Sequence, residues 1–163
     1  PAMVGLGGVA SIFIINRNGS LIYDADFQTY ARDGDKPLTS NDKIRLSSTF
    51  HGCSAVASQI SPAAAPRSGG GAHRFPPDSG IVTLDADTFR LQCFHTATGM
   101  KLFAIVLPPL IDCDSVLRQT YGLYSDYVLK NPFYELDMPV RIELFDREVR
   151  RLIAEQGFPQ SGK

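Results

Sequence analysis

Several kinds of signal are scarce in this chain of 163 residues, and each scarcity removes a class of protein. Cysteine occurs only at positions 53, 93 and 113, far apart, odd in number and without a Cys-x-x-Cys pair. That is no disulfide framework, and a reducing compartment is expected. Charge of one sign is missing too: 16 basic residues face 17 acidic ones, for a formal net charge of −1. A nucleic-acid binder or a polybasic membrane anchor ordinarily carries a basic excess. No apolar run approaches the ~20 residues of a membrane span. Val9–Ile15 is apolar, but nothing basic precedes it, so a signal peptide is a poor reading. Disorder is excluded by a hydrophobic share of 44% with 20% charged residues.

What remains is one domain's worth of chain. Pro1 and Ala2 ahead of Met3 read as a cloning scar, so residues 1–8 are expected to be scar and tail, 9–156 a single domain, and 157–163 a second tail. Val9–Ile15 is apolar on both alternating faces, as a mid-sheet strand covered on both sides should be. Asn18-Gly19 predicts a two-residue hairpin turn into a second strand at Ser20–Tyr23. A helix capped by Thr39 or Ser40 follows, with a predicted buried stripe of Leu46, Phe50, Cys53, Ala57 and Ile60. Its many small residues (Ser47, Ser48, Gly52, Ser54, Ser58) would let it lie close to a sheet, and Pro62 would end it.

Residues 63–80, rich in Ala, Gly and Pro, read as a flexible loop. Three strands are then predicted at Ile81–Leu84, Thr88–Thr96 and Met100–Leu107, with turns at Asp85-Ala86-Asp87 and Thr98-Gly99. The last strand is again apolar on both faces, so it should lie beside the first. A helix capped by Asp112 or Asp114 carries Leu117, Tyr121, Tyr124 and Val128 and stops at Pro132. An extended link, Phe133–Met138, leads to a final helix with Ile142, Phe145, Val149 and Leu152. The expected fold is therefore α/β of the α+β type: a five-stranded, mainly antiparallel sheet in the order β-β-α-β-β-β-α-α, one helix on one face and two on the other.

Catalytic signals are poor. His51-x-Cys53 and Cys93-x-His95 each offer two ligands where a zinc site wants four, so neither is a metal site by spacing. The second pair leaves a small enzyme with a Cys93 nucleophile as an alternative. The terminal GFPQSGK of Gly157–Lys163 matches a phosphate loop in part, but it lacks the closing Ser or Thr and follows a helix, not a strand. Asp85 with Asp87 reads as turn chemistry, and Asp112 with Asp114 as helix capping. No catalytic residue, cofactor or metal is implied.

Three strings, LTSNDKIRLSSTFHGCSAVASQISP, SGIVTLDADTFRLQCFHTATGMKLF and YSDYVLKNPFYELDMPVRIELFD, resemble the synbindin-like family of subunits of the transport protein particle (TRAPP) complex. The element order is similar to that family's longin, SNARE-like fold. The resemblance implies a non-catalytic subunit of a vesicle-tethering complex that helps form a guanine-nucleotide exchange surface for a Rab-family GTPase in ER-to-Golgi transport. It implies as partners a second longin-like subunit, the helix-rich subunits and the GTPase. It also implies a cytoplasmic chain held peripherally at the cis-Golgi or endoplasmic reticulum through its complex. The PDZ-like insertion of many animal relatives is replaced by Asp26–Pro37.

A longin domain that regulates SNAREs is the alternative within trafficking. That role usually needs a following heptad helix and anchor, and seven residues follow Gln156 here. For partner contact, the chosen candidates flank the link: Asp126, Tyr127, Lys130, Asn131, Tyr134, Glu135 and Asp137. Tyr127 and Tyr134 fall outside the helix stripe and are expected as anchors. The competing structural expectation is that Asn131 and Pro132 form a turn and Phe133 plugs the core.

Overall fold

A computed structural model describes residues 8–27, 38–60, 80–108 and 110–156. The tails, Pro62 and the expected loop at 63–80, apart from Gly80, lie outside the described residues. Strands β1 (Gly8–Ile15), β2 (Leu21–Asp26), β3 (Thr83–Asp85), β4 (Arg90–His95) and β5 (Lys101–Leu107) form one antiparallel sheet in the order β2-β1-β5-β4-β3. The two strands apolar on both faces are adjacent at its centre, as predicted.

Alternation along β1 divides the core. Val9, Ile12 and Ile14 join Leu102, Ala104 and Val106 on one face, whereas Phe13 and Ile15 join Phe103 and Ile105 on the other. A register shift between Val9 and Ser11 lets Ala10 and Phe13 share a face although they are three residues apart.

Both long hairpins turn by the same device. In Asn16–Ser20, the Gly19 N–H donates to the Asn16 carbonyl at 3.0 Å and Gly19 takes φ 86°. In Thr96–Met100, the Gly99 N–H donates to the Thr96 carbonyl at 3.1 Å and Gly99 takes φ 87°. Each is a four-residue turn whose last residue is a left-handed glycine, giving a loop one residue longer than the two-residue turn expected at Asn18-Gly19. The Asn16 side chain decides this: its Oδ1 accepts from the N–H groups of Asn18 and Ser20, at 3.0 and 2.9 Å.

Helix α1 (Ser40–Ile60) covers one face. Its start is the predicted cap: Thr39 Oγ1 accepts from Asp42 N–H, and the Asp42 carboxylate accepts from Thr39 N–H and Oγ1–H. The buried stripe, however, is Ser47, Phe50 and Ser54. Cys53 and Ile60, both placed in the predicted stripe, are exposed. A helix this weakly amphipathic is oriented by close approach, and the two serines bracket Phe50 so that its ring sits 4.7 Å from that of Phe103. Lys43 ties α1 to β2 by hydrogen bonds to Asp24 and Asp26, at 2.6 and 2.5 Å. Partial burial works against the Lys43 ammonium, but the two carboxylates more than reverse this and raise its pKa.

Helices α2 (Asp114–Tyr124) and α3 (Glu143–Glu155) cover the other face. Cys113, not an aspartate, is the N-cap of α2. Asp112 stands one position earlier, accepting from Asp114 N–H at 3.0 Å and from Gln92 Nε2–H at 2.5 Å. Leu117, Tyr124 and Val128 are buried as predicted, while Tyr121 is half-buried. Phe145, Val149, Leu152 and Ile153 of α3 are buried with them. Four such side chains contribute roughly 6–12 kcal/mol of gross transfer energy.

Candidate functional site: the link between the last two helices

The end of α2 opens into a π turn, Ser125–Leu129, and Lys130 begins the link. Such widened turns occur disproportionately at functional sites. The π turn keeps Val128 fully buried and leaves Leu129 41% exposed. The link itself is not extended, as the sequence suggested, but a series of hydrogen-bonded turns. Asn131 N–H donates to the Val128 carbonyl at 3.1 Å, and Asn131 Oδ1 accepts from Phe133 N–H at 3.0 Å. Tyr134 N–H returns to the Asn131 carbonyl at 3.2 Å. Asparagine before proline is suited to this, because its side chain replaces a backbone acceptor in the turn.

The adjacent aromatics divide the labour in a way the sequence did not show. Tyr134 is half-buried against the core, and its hydroxyl donates to the Met138 carbonyl at 2.7 Å. Buried Tyr124 is coupled to the neighbouring Tyr134 phenol. Burial first, and then the neighbouring Tyr134 phenol, push the Tyr124 pKa well above the phenol range. Tyr127 is likewise half-buried against the core. Phe133, which the structural expectation had plugging the core, is instead 95% exposed. The peptide reversal at Asn131–Tyr134 sends the two neighbouring rings to opposite sides.

The other candidates are placed simply. Asp126 and Lys130 are exposed and pair with each other at 2.7 Å across one turn. Asn131 is half-buried and holds the turn. Glu135 and Asp137 are exposed, and Asp137 has φ 67°, a left-handed conformation uncommon for a residue with a side chain. Sequence reasoning missed the apolar side of the link: Leu129, Phe133, Leu136 and Met138, the last two 70% and 52% exposed. Their signal was present as four large apolar residues in ten positions that contain a proline.

The alternative chemistry does not find a suitable geometry. Cys93 is 3% exposed, and burial pushes its thiol up to about 12 against a small opposing pull from Lys101. A nucleophilic thiol needs the reverse. His95 Nε2 is engaged with the Ile81 carbonyl at 2.8 Å. His51 packs against the Gly19 turn while Cys53 is exposed. Among the described residues there is no group of three or more His, Cys, Asp or Glu able to hold a metal ion. No described helix is long and apolar enough to cross a membrane. Asp85 is paired with Arg90 at 2.5 Å across β3 and β4, beside the turn closed by Ala86 N–H on the Phe89 carbonyl. GFPQSGK lies outside the described residues.

A five-stranded antiparallel sheet with one helix on one face and two on the other, in this order, places the protein in the α+β, longin-like class. Comparison with known proteins narrows the class. A model of the sybindin-like family matches residues 9–156, and the chain belongs to that family. It is 41% identical over 145 residues to trafficking protein particle complex subunit 4 of Dictyostelium discoideum, covering 89% of this chain and 96% of that protein. The subunit 4 of Bos taurus is 43% identical over 126 residues, 77% of this chain but only 52% of the bovine protein. This chain thus spans about half the length of its mammalian relatives. Subunit 1 of the same complex in Dictyostelium discoideum is 22% identical over 138 residues, covering 84% and 88%.

Proposed function

We propose that this chain is a non-catalytic subunit of a TRAPP complex, inactive alone, that helps form the nucleotide-exchange surface for a Rab-family GTPase in ER-to-Golgi transport. Its neighbours in this reading are a second longin-like subunit, the helix-rich subunits and the GTPase. Residues 9–156 act as one domain held peripherally at the cis-Golgi or endoplasmic reticulum through the assembly. Asp126, Tyr127, Lys130, Asn131, Tyr134, Glu135 and Asp137 belong to the contact segment, the half-buried members as its supports and the exposed ones as its surface.

One observation carries the reading beyond family membership: a rigid scaffold presents an apolar, turn-rich link to solvent, and large exposed apolar groups clustered in a loop are characteristic of interaction sites. Exchange needs no covalent chemistry. A protein surface that displaces the switch loops gripping Mg²⁺ and phosphate is enough to release the nucleotide. The test follows release of a fluorescent nucleotide from the Rab GTPase with the chain alone and with its partner subunits. Stimulation only in the assembly is expected. Full exchange by the isolated chain would overturn the subunit reading.

A further inference from the structure

Resting on the assembly reading above, we infer that the Leu129–Met138 link is a preformed knob whose Phe133 ring seats in an apolar pocket with a basic rim on a neighbouring protein subunit. The first support is concentration. Among the described residues eleven large hydrophobic side chains are exposed, and four of them fall in these ten positions, with Phe133 the most exposed of all at 95%. Scattered apolar groups need no explanation, but a cluster headed by a bare aromatic ring does. Aromatic anchors of this kind dominate binding energy when they enter a desolvated pocket.

The second support is rigidity. The turn bonds through Asn131 fix the backbone on either side of Phe133. Tyr134 anchors the next residues twice, through its half-buried ring and its 2.7 Å bond to the Met138 carbonyl. The link's exit is pinned where Val140 N–H donates to the Ile22 carbonyl of β2 at 2.7 Å. Asp137 is held left-handed within this frame. Ordering the loop is thus already achieved by folding, so less of the binding energy is spent on it.

The third support is charge, and it selects the occupant. Across 126–138 the charged side chains are Asp126, Lys130, Glu135 and Asp137. Asp126 and Lys130 neutralise each other, so Glu135 and Asp137 leave the knob at about −2. An anionic bilayer would repel this flank, although Phe133, Leu136 and Met138 would suit lipid. A second copy of the chain would bring the same two acids against themselves. A heterologous protein pocket with Lys or Arg at its rim satisfies both the ring and the acids.

The test uses the tagged full chain co-expressed with the other TRAPP subunits, with recovery of those subunits and their affinity as readouts. Phe133→Ala is expected to weaken assembly by about tenfold or more, with an unchanged melting temperature because the ring packs on nothing inside. Phe133→Leu should retain most of the binding. Glu135→Gln with Asp137→Asn should weaken it by about threefold at low salt and by little at high salt.

Wild-type assembly by the folded Phe133→Ala chain would overturn the knob and leave the TRAPP reading standing. Failure of the wild-type chain to recover any TRAPP subunit would overturn both. Phe133-dependent binding to phosphatidylserine-containing vesicles without subunit binding would overturn the protein pocket in favour of a membrane. Equal or tighter assembly by the neutralised pair at low salt would overturn the basic rim.

Discussion

The two faces of one sheet are sealed by different means. On the α2–α3 face, Leu117, Tyr124, Val128, Phe145, Val149, Leu152 and Ile153 pack on Ile12, Ile14, Leu102 and Val106. Ring contacts run through it: Phe145 lies 4.8 Å from Tyr23 and 6.3 Å from Tyr124. On the α1 face, Phe50 is the one large helical side chain that is buried, between two buried serines; Leu46 packs half-buried against the same cluster, and Lys43 adds an ionic tie. The first face is held by apolar volume. The second has an apolar strand surface, with Phe13 stacked on Phe103 at 4.9 Å, but its helix adds little apolar area of its own and is held by proximity. The link is mounted on the α2–α3 face, where Tyr127 and Tyr134 pack against its core.

Truncation should separate the two most clearly. Phe145→Ala is expected to cost about 3–5 kcal/mol, because a fully buried ring meeting two other rings leaves a cavity that cannot collapse. Phe50→Ala should cost less, about 2–3 kcal/mol, because α1 has small neighbours and can settle toward the sheet. Urea unfolding of both variants measures the difference. Equal costs, or a larger one at Phe50, would break the distinction between volume and proximity.

Ser54 sharpens it from the other side. Its hydroxyl is buried without a hydrogen-bond partner among the described residues and packs against Gly80. Ser54→Ala should therefore gain about 1 kcal/mol, since an unsatisfied buried hydroxyl is removed and the small size is kept. Ser54→Leu should cost about 1–3 kcal/mol by driving α1 off the sheet. If Leu were tolerated as well as Ala, close approach would not be what holds this helix.

The smallest effect is expected at the rim of the α1 face. His51 packs on the Gly19 turn, and its Nδ1 lies 3.5 Å from Lys101 Nζ. Desolvation first, and then the Lys101 charge, lower its pKa below the ordinary histidine value. The unfolded chain thus binds this proton more readily, and stability should fall as the pH drops from ~6.5 through the lower folded value. A modest decline in the urea midpoint over that range is expected, flattened in His51→Gln. An unchanged slope in that variant would remove the assigned cause.

How much of this was legible in the sequence differs by region for a physical reason. β1 and β5 announced themselves because two-sided burial demands apolar residues at successive positions. The α3 stripe was equally plain, with Phe145, Val149 and Leu152 at helical spacing. The buried face of α1 was not: Ser47 and Ser54 carry no hydrophobic signal, whereas Cys53 and Ile60 do and are exposed. At the link, the position was legible and the orientation was not. Phe133 and Tyr134 are adjacent and equally aromatic, and no period runs through a proline turn.

By itself the sequence determined the element order, the central pair of strands, the Thr39 cap of α1 and the placing of helices on both faces, because these follow from local propensity and from where apolar residues recur. It also determined the near-neutral charge and the scarcity of catalytic groupings. Only the tertiary structure decided which face of α1 turns inward, that the end of α2 opens into a π turn, and that Tyr134 folds back while Phe133 is left bare. Those choices depend on steric fit and on hydrogen bonds between groups distant in the chain: Gly80 against Ser54, Val140 to Ile22. Local pattern cannot encode them, because each is fixed by what the rest of the fold brings opposite.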